Sequence, residues 1–318
     1  MLYLRNIIKG GVGTYKLHLF DAIVGRIQIT NDFKVASIVH IHTPDEALKF
    51  FCKVLFCLQK RVIYTPHSYP TFFYKKIDFV SALKFSIIEL FLFFFHFIFF
   101  LRCKKVICLT QHEFRTWTKY FPLFKGKFVI VPTAIKPLKK SLHSIPRTLV
   151  LWVGSFDDRK QPHRFLSFCR KFNFKFPEND LKFLMCGSGP LFDNILNLAN
   201  SDEKLYNLEI HKNVDHIQIM EFMTKARFLV SFSSQEGLPM TFLEALESGV
   251  PIITSVYRGG DVYEFLNDSN SIIFKSEDDI FEQLCSKKNI LFEDTSHLKQ
   301  PYSFQFFSDF HINIYEGT

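Results

Sequence analysis

Ser233-Ser-Gln-Glu236-Gly-Leu-Pro-Met-Thr-Phe-Leu-Glu244-Ala-Leu-Glu-Ser-Gly-Val-Pro-Ile-Ile-Thr254 is the stretch on which the fold turns. Pro239 suits a first helical position, where its missing N–H would have no partner anyway, and Gly249 with Pro251 stops the helix before a β-branched run. The order is loop, helix, glycine stop, strand. At ~1.5 Å rise per residue, Glu244 sits roughly one and a half turns below Pro239. Glu236 in the loop and Glu244 in the helix then bracket a polar ligand whose phosphates lie at the helix N-terminus. The plainer reading makes Glu244 and Glu247 the solvated face of an amphipathic helix that turns Phe242, Leu243 and Leu246 inward.

Around this stretch the C-terminal half alternates strand and helix signals. Thr148–Val153 reads as a strand running into the turn Gly154-Ser155, and Leu181–Met185 repeats the device before Gly187-Ser-Gly189-Pro190. Strands at Asn207–Ile210, Phe228–Phe232 and Pro251–Ser255, with a helix over Ile217–Lys225, complete one doubly wound domain. Ligands of such sheets bind beyond the carboxyl ends of the strands, where these glycine turns collect. Residues 136–147 are polar, basic and carry two prolines, which marks a linker. Upstream the alternation returns, with helices at Tyr15–Val24, Asp45–Gln59 and Ser81–Leu101 and strands at Ala36–Ile41, Arg61–Tyr64, Lys105–Leu109 and Phe128–Val131. The expected class is α/β, with two Rossmann-like doubly wound domains over residues 1–135 and 148–300 and a closing helix within 301–318. The N-terminal domain looks trimmed: few residues separate Gly13 from the His40 strand, and a strand before Gly10 is barely present.

Composition bounds the function classes. At 318 residues, 47% hydrophobic and 22% charged, the chain has globular values, with 40 Phe in many core-like positions. Lys plus Arg number 39 against 31 Asp plus Glu, and this basic balance suits anionic ligands such as nucleotide diphosphates or acidic lipid headgroups. No run of interleaved Arg and aromatic residues resembles a nucleic-acid module, so no nucleic-acid partner is expected. Seven cysteines without a C-x-x-C read as reduced thiols of a cytosolic protein. His40-x-His42 has no third ligand beside it, so no metal site is expected. Met1–Ile8 carries Arg5 without a following apolar run, unlike a secretory leader. Phe85–Leu101 is strongly apolar but contains Glu89 and His96, which favours a buried or interfacial helix over a membrane span. Lys84 before it and Arg102, Lys104 and Lys105 after it favour contact with an anionic membrane surface.

Glu-Gly-Leu-Pro followed by Glu-Ala and Gly-x-Pro-Ile resembles the E-x7-E signature of family 4 glycosyltransferases with the GT-B fold, and the likeness covers most of residues 10–310. Gly10-Gly11-Val-Gly13-Thr14 resembles that family's N-terminal glycine loop, which places Gly11 and Gly13 against the donor's diphosphate. Thr65-Pro-His67-Ser resembles its Thr-x-His turn, implying an acceptor-binding or catalytic His67, with His42 a weaker candidate. Gly154-Ser155-Phe-Asp-Asp-Arg159-Lys160 resembles its Gly-Arg…Lys segment, whose cations neutralise the leaving diphosphate. Ser155 takes the first cation's place, Lys160 keeps the second, and Arg159 stands adjacent. The turn at Gly187 resembles one near the nucleotide base. By resemblance Glu244 accepts hydrogen bonds from the ribose hydroxyls, Glu236 lies by the donor sugar, and backbone N–H groups of Gly237, Leu238, Met240 and Thr241 meet the phosphate.

The resemblance implies a retaining, metal-independent hexosyltransferase with no cofactor, the nucleotide-sugar being its donor substrate. It further implies a glycan or lipid-linked acceptor in cell-surface polysaccharide synthesis, at the cytoplasmic face of a membrane. Ser155 and the trimmed N-terminal half keep open a catalytically impaired GT-B protein that acts as a binding or partner subunit. An epimerase or phosphorylase of similar fold, and a membrane scaffold built on Phe85–Leu101, also stay open.

Overall fold

The computed structural model describes residues 1–4, 10–67, 86–134, 147–234, 236, 238–255, 265–286 and 303–317. The chain divides into two compact units, Met1–Ala134 with Gln300–Thr318, and Ile135–Lys299.

The first unit holds β1 (Leu2–Leu4), α1 (Gly10–Ile23), β2 (Ile29–Thr30), β3 (Ile38–His42), α2 (Pro44–Phe56), β4 (Arg61–Thr65), α3 (Ser86–Arg102), β5 (Cys103–Cys108), α4 (Gln111–Tyr120) and β6 (Phe128–Ile130). Its strands form a six-stranded sheet in the order β2-β1-β3-β4-β5-β6, parallel throughout. The expected trimming is a matter of strand length. β1 has three residues and β2 two, yet Leu2, Tyr3 and Leu4 are buried and β1 pairs on both sides.

The second unit holds β7 (Leu149–Val153), α5 (Pro162–Lys175), β8 (Lys182–Gly187), α6 (Phe192–Asn200), β9 (Leu208–Lys212), α7 (His216–Lys225), β10 (Ala226–Ser231), α8 (Met240–Glu247), β11 (Ile252–Ser255), β12 (Ser271–Phe274) and α9 (Glu277–Ser286). The sheet order is β12-β11-β10-β7-β8-β9, again parallel, so the first strand lies in the middle and the winding reverses between β7 and β10. Side chains alternate between the two faces: Val150 and Trp152 join the Phe-rich layer with Phe165, Phe168 and Phe183, whereas Leu151, Leu184 and Leu229 join the layer under α7 and α8. Burial on both faces explains why these strands read as continuous apolar runs.

α10 (Phe304–Glu316) returns to the first unit and packs on α1. Ser303 caps it, Ser308 Oγ donates to the Ala22 carbonyl at 2.6 Å, and Tyr315 Oη meets His40 Nδ1 at 2.6 Å.

The sequence reading did not place α4, α5, α6, α9 or β12. α4 carries its own start signal, Thr110 accepting from Glu113 N at 3.0 Å while the Glu113 carboxylate accepts from Leu109 N at 2.6 Å. α5 lacks one, because Gln161 at its N-cap is left-handed (φ 49°) and makes no side-chain cap bond. Pro239 precedes α8 as its N-cap rather than opening it, one residue off the expected position. α3 is described from Ser86, the expected start at Ser81 lying outside the described residues, and among the described residues no helix is long and apolar enough to cross a membrane.

Candidate active site

The reversal between β7 and β10 opens a crevice at their carboxyl ends, and the loops leaving those two strands carry the charged residues. The loop after β7 is shaped by Asp157, whose Oδ1 accepts from Lys160 N at 3.0 Å and whose Oδ2 receives the Ser155 hydroxyl. The loop after β10 is stitched to it by Ser234, whose N–H and hydroxyl both donate to the Arg159 carbonyl, at 2.8 and 3.2 Å. These ties bring two adjacent cations onto one carboxylate. Lys160 Nζ pairs with Glu236 Oε1, and Arg159 Nη1 lies 3.4 Å from Glu236 Oε2. Glu236 is only 7% exposed, so charge-assisted pairing satisfies a carboxylate that burial would otherwise penalise. Arg159 also stands 3.9 Å from Asp157. Ser155 thus fixes Asp157, which sits beside Arg159.

Glu244 lies in α8, 4% exposed, and does not join that cluster. Its Oε1 is 2.9 Å from His216 Nε2, at the first turn of α7. The hydrogen bond from Glu244 raises the His216 pKa above the ordinary histidine value. Sequence reasoning missed His216, although Asp215 before it is a cap residue whose side chain accepts from Gln218 N at 2.8 Å. It also missed Arg147, whose guanidinium donates to the Gly249 and Ser248 carbonyls at 2.5 and 2.8 Å and closes the C-terminal end of α8. At the opposite end Pro239 offers no side-chain cap bond to the first N–H groups of α8, those of Met240 and Thr241. Gly237 lies outside the described residues.

The turn glycines have a packing reason of their own. Gly187 has φ +155°, and a Cβ there would sit 1.8 Å from the Gly154 carbonyl oxygen. At Gly189 a Cβ would come within 2.6 Å of the Phe156 backbone. The turns after β7 and β8 are thus pressed together, with Gly154 N donating to Cys186 O and Phe156 N to Ser188 O.

In the first unit, Gly11 and Gly13 fall in the first turn of α1 rather than in a loop. His67 follows β4 with φ 59°, its Nε2 3.0 Å from His42 Nδ1 and its ring edge-on to Tyr15 at 4.6 Å. Burial pushes its pKa down to about 3, and His40 and His42 lie well below the ordinary value for the same reason. Lys16 and Glu46 form a buried pair at 3.2 Å beside them. Among the described residues no group of three or more His, Cys, Asp or Glu is arranged to hold a metal ion.

Comparison with solved structures gives the class: the two parallel sheets are a GT-B fold. WaaG, a glycosyltransferase involved in lipopolysaccharide biosynthesis, matches at TM-score 0.72 and 15% identity, covering 100% of this chain and 99% of that one. Anabaena Alr3699/HepE in complex with UDP and glucose matches at TM-score 0.73 and 11% identity, with 100% and 99% covered. The pneumococcal O-GlcNAc transferase GtfA, in complex with UDP and GlcNAc, matches at 0.66 and 13%, over 88% of this chain and 56% of that one. Residues 137–291, which fall within the second unit, match the model of glycosyl transferases group 1. An uncharacterised glycosyltransferase of Haemophilus influenzae is 28% identical over 155 residues, 48% of this chain and 41% of its own length. One of Methanocaldococcus jannaschii is 24% identical over 170 residues, 49% and 40% respectively. The matched region thus spans about two fifths of the curated relatives' length.

Proposed function

We propose that this chain is a retaining, metal-independent glycosyltransferase that moves a sugar from a nucleotide-sugar to a glycan or lipid-linked acceptor in cell-surface polysaccharide synthesis. The observation that carries the reading is the convergence of Lys160 and Arg159 on Glu236 at the switch point of the second sheet. A donor diphosphate entering there offers the same two cations better anionic partners, and Glu236, released, faces the sugar. The departing charge is met by Lys160, Arg159 and the N–H groups of Met240 and Thr241 at the start of α8. Glu244 takes the ribose hydroxyls. His67, held neutral by burial, serves the acceptor side as a hydrogen-bonding group. Gly11 and Gly13, at the start of α1, are assigned to the diphosphate by the family resemblance alone.

The test is transfer from a panel of UDP-, GDP- and ADP-sugars, with and without a chelator, reading the anomeric configuration of the product by NMR. Lys160→Ala and Glu236→Ala are each expected to lower the rate by about 10²-fold or more. An inverted product or loss of activity on chelation overturns the retaining or metal-independent part. A second reading, a GT-B binding subunit without turnover, is motivated by Ser155 standing where the family carries a cation. Donor binding without transfer to any acceptor favours it.

Contact with an anionic membrane at the cytoplasmic face is part of the same proposal. Leu90, Phe91, Phe94, Ile98 and Leu101 line one face of α3 and are 38–57% exposed. Leu101 borders a pocket lined by Lys60, Arg61, Arg102, Lys104, Lys105 and Lys127. Several of these cations already serve helix ends, Lys127 donating to the Phe100 and Leu101 carbonyls at 2.8 and 3.0 Å and Arg102 to Cys57 O at 3.1 Å. Co-sedimentation with vesicles of acidic lipid, reduced in Phe91→Ser/Phe94→Ser and absent with zwitterionic vesicles, is the expected result; equal binding to both lipids counts against it.

A further inference from the structure

We propose that His216 is a positioning residue of the nucleotide site, holding the Glu244 carboxylate for the ribose hydroxyls and making nucleotide affinity respond to pH. The inference rests on the glycosyltransferase reading, within which it assigns a role to a residue outside the family signature.

The geometry is specific. Glu244 is nearly buried on α8, and among the described residues the His216 ring supplies its side-chain contact, Nε2 to Oε1 at 2.9 Å. A carboxylate with one oxygen engaged from α7 cannot swing freely about its last torsion, and its second oxygen, which takes no hydrogen bond among the described residues, can serve a ligand. A ribose offers two adjacent hydroxyl donors, which a carboxylate held in one plane receives better than a rotating one. His216 opens α7, and its side chain is 39% exposed, so it reaches the carboxylate from the solvent side, where a ligand would also arrive.

Glu244 acts on His216 from α8 and Asp215 from its own helix cap, both favouring the protonated ring. On the neighbouring strand β9, His211 and Glu209 pair with each other at 3.3 Å, and Lys212 reaches Asp193 at 3.5 Å. Protonated His216 draws Glu244 into an ion pair and weakens it as an acceptor for hydroxyls. Neutral His216 keeps the orientation and frees the charge. Nucleotide affinity is therefore expected to rise as pH rises through the His216 titration, which Glu244 has moved upward.

Calorimetric titration with UDP, GDP and ADP, between about pH 5.5 and 8.5, tests this on the full chain. His216→Ala is expected to weaken the preferred nucleotide by about tenfold, the loss of one hydrogen bond to a charged group. His216→Gln, whose amide N–H reaches the same oxygen, should recover most of the affinity and flatten the pH slope relative to wild type. The diphosphate's own titration is common to all variants and cancels in that comparison. In transfer assays the effect should fall on KM, with kcat little changed. An alanine variant that binds like wild type, or a glutamine variant with the wild-type pH slope, overturns the role of His216. A wild-type protein that binds none of the three nucleotides overturns instead the nucleotide-sugar reading on which it rests.

Discussion

Adjacent residues on a loop ordinarily point apart, yet Arg159 and Lys160 reach one carboxylate because Asp157 and Ser234 bend the loop between them. In the proposed reading Arg159 supplies the cation that Ser155 lacks. Arg159→Ala should lower transfer by about 10- to 100-fold, less than Lys160→Ala because Arg159 is more exposed and farther from Glu236. Adding Ser155→Arg to that variant should recover part of the loss, and rates unchanged by Arg159→Ala would deny it a role. Lys160 and Glu236, which the structure pairs, were singled out in the sequence by the family resemblance, as was Glu244, which the structure places apart from them. The convergence of Arg159 was not, because a side chain's direction on a turn is set by hydrogen bonds to residues seventy-odd positions away. His216 escaped for a related reason: nothing local to it mentions α8.

Where β7 and β8 end, two turns share a space that leaves no room for a Cβ. Gly187→Ala would place a methyl 1.8 Å from the Gly154 carbonyl oxygen at a φ that side chains rarely adopt, so the turns must part. Urea denaturation should register a loss of at least about 2 kcal/mol, with donor affinity falling because the Lys160 loop moves with Gly154. An unchanged midpoint would mean that the turns separate at little cost. Strands of this kind were readable as β-branched and apolar runs closed by glycine, and the doubly wound order followed from their alternation with helices. Helices were readable where a cap and an apolar period coincide. α4 shows the limit: Thr110 caps its start and Glu113 bonds back to Leu109 N, but its ten mostly polar residues leave only a short apolar row, Phe114 and Trp117, to signal a helix. Replacing Thr110 by Ala should cost about 1 kcal/mol in the same measurement.

At the scale of the whole molecule, the first unit carries an unusual load of neutral imidazole. His40 and His42 are held well below the ordinary value by burial, His67 at about 3, and His96 and His311 at about 4. A histidine depressed in the folded state stabilises it fully above its unfolded pKa, and that stability is lost as pH falls from about 6.5 toward the folded values. Glu113, raised to about 7 by burial, works oppositely: the folded chain keeps its proton where the unfolded chain does not, so it favours folding below pH 7. Five histidines against one carboxyl predict net acid lability of the first unit. Thermal melts should lose midpoint steadily below about pH 6.5, and a midpoint flat to pH 4.5 would contradict the buried, neutral assignment. None of this was visible beforehand, because His311 and Tyr315 reach Tyr15 and His40 across nearly the whole sequence. That long return has a consequence for the order of events on the ribosome. The helix that covers Tyr15 and His40 is encoded after residues 135–299, so a chain growing from its N-terminus can complete its second unit while its first still exposes α1. The portion synthesised earliest is the one finished last, and the interval between is when a chaperone would find it.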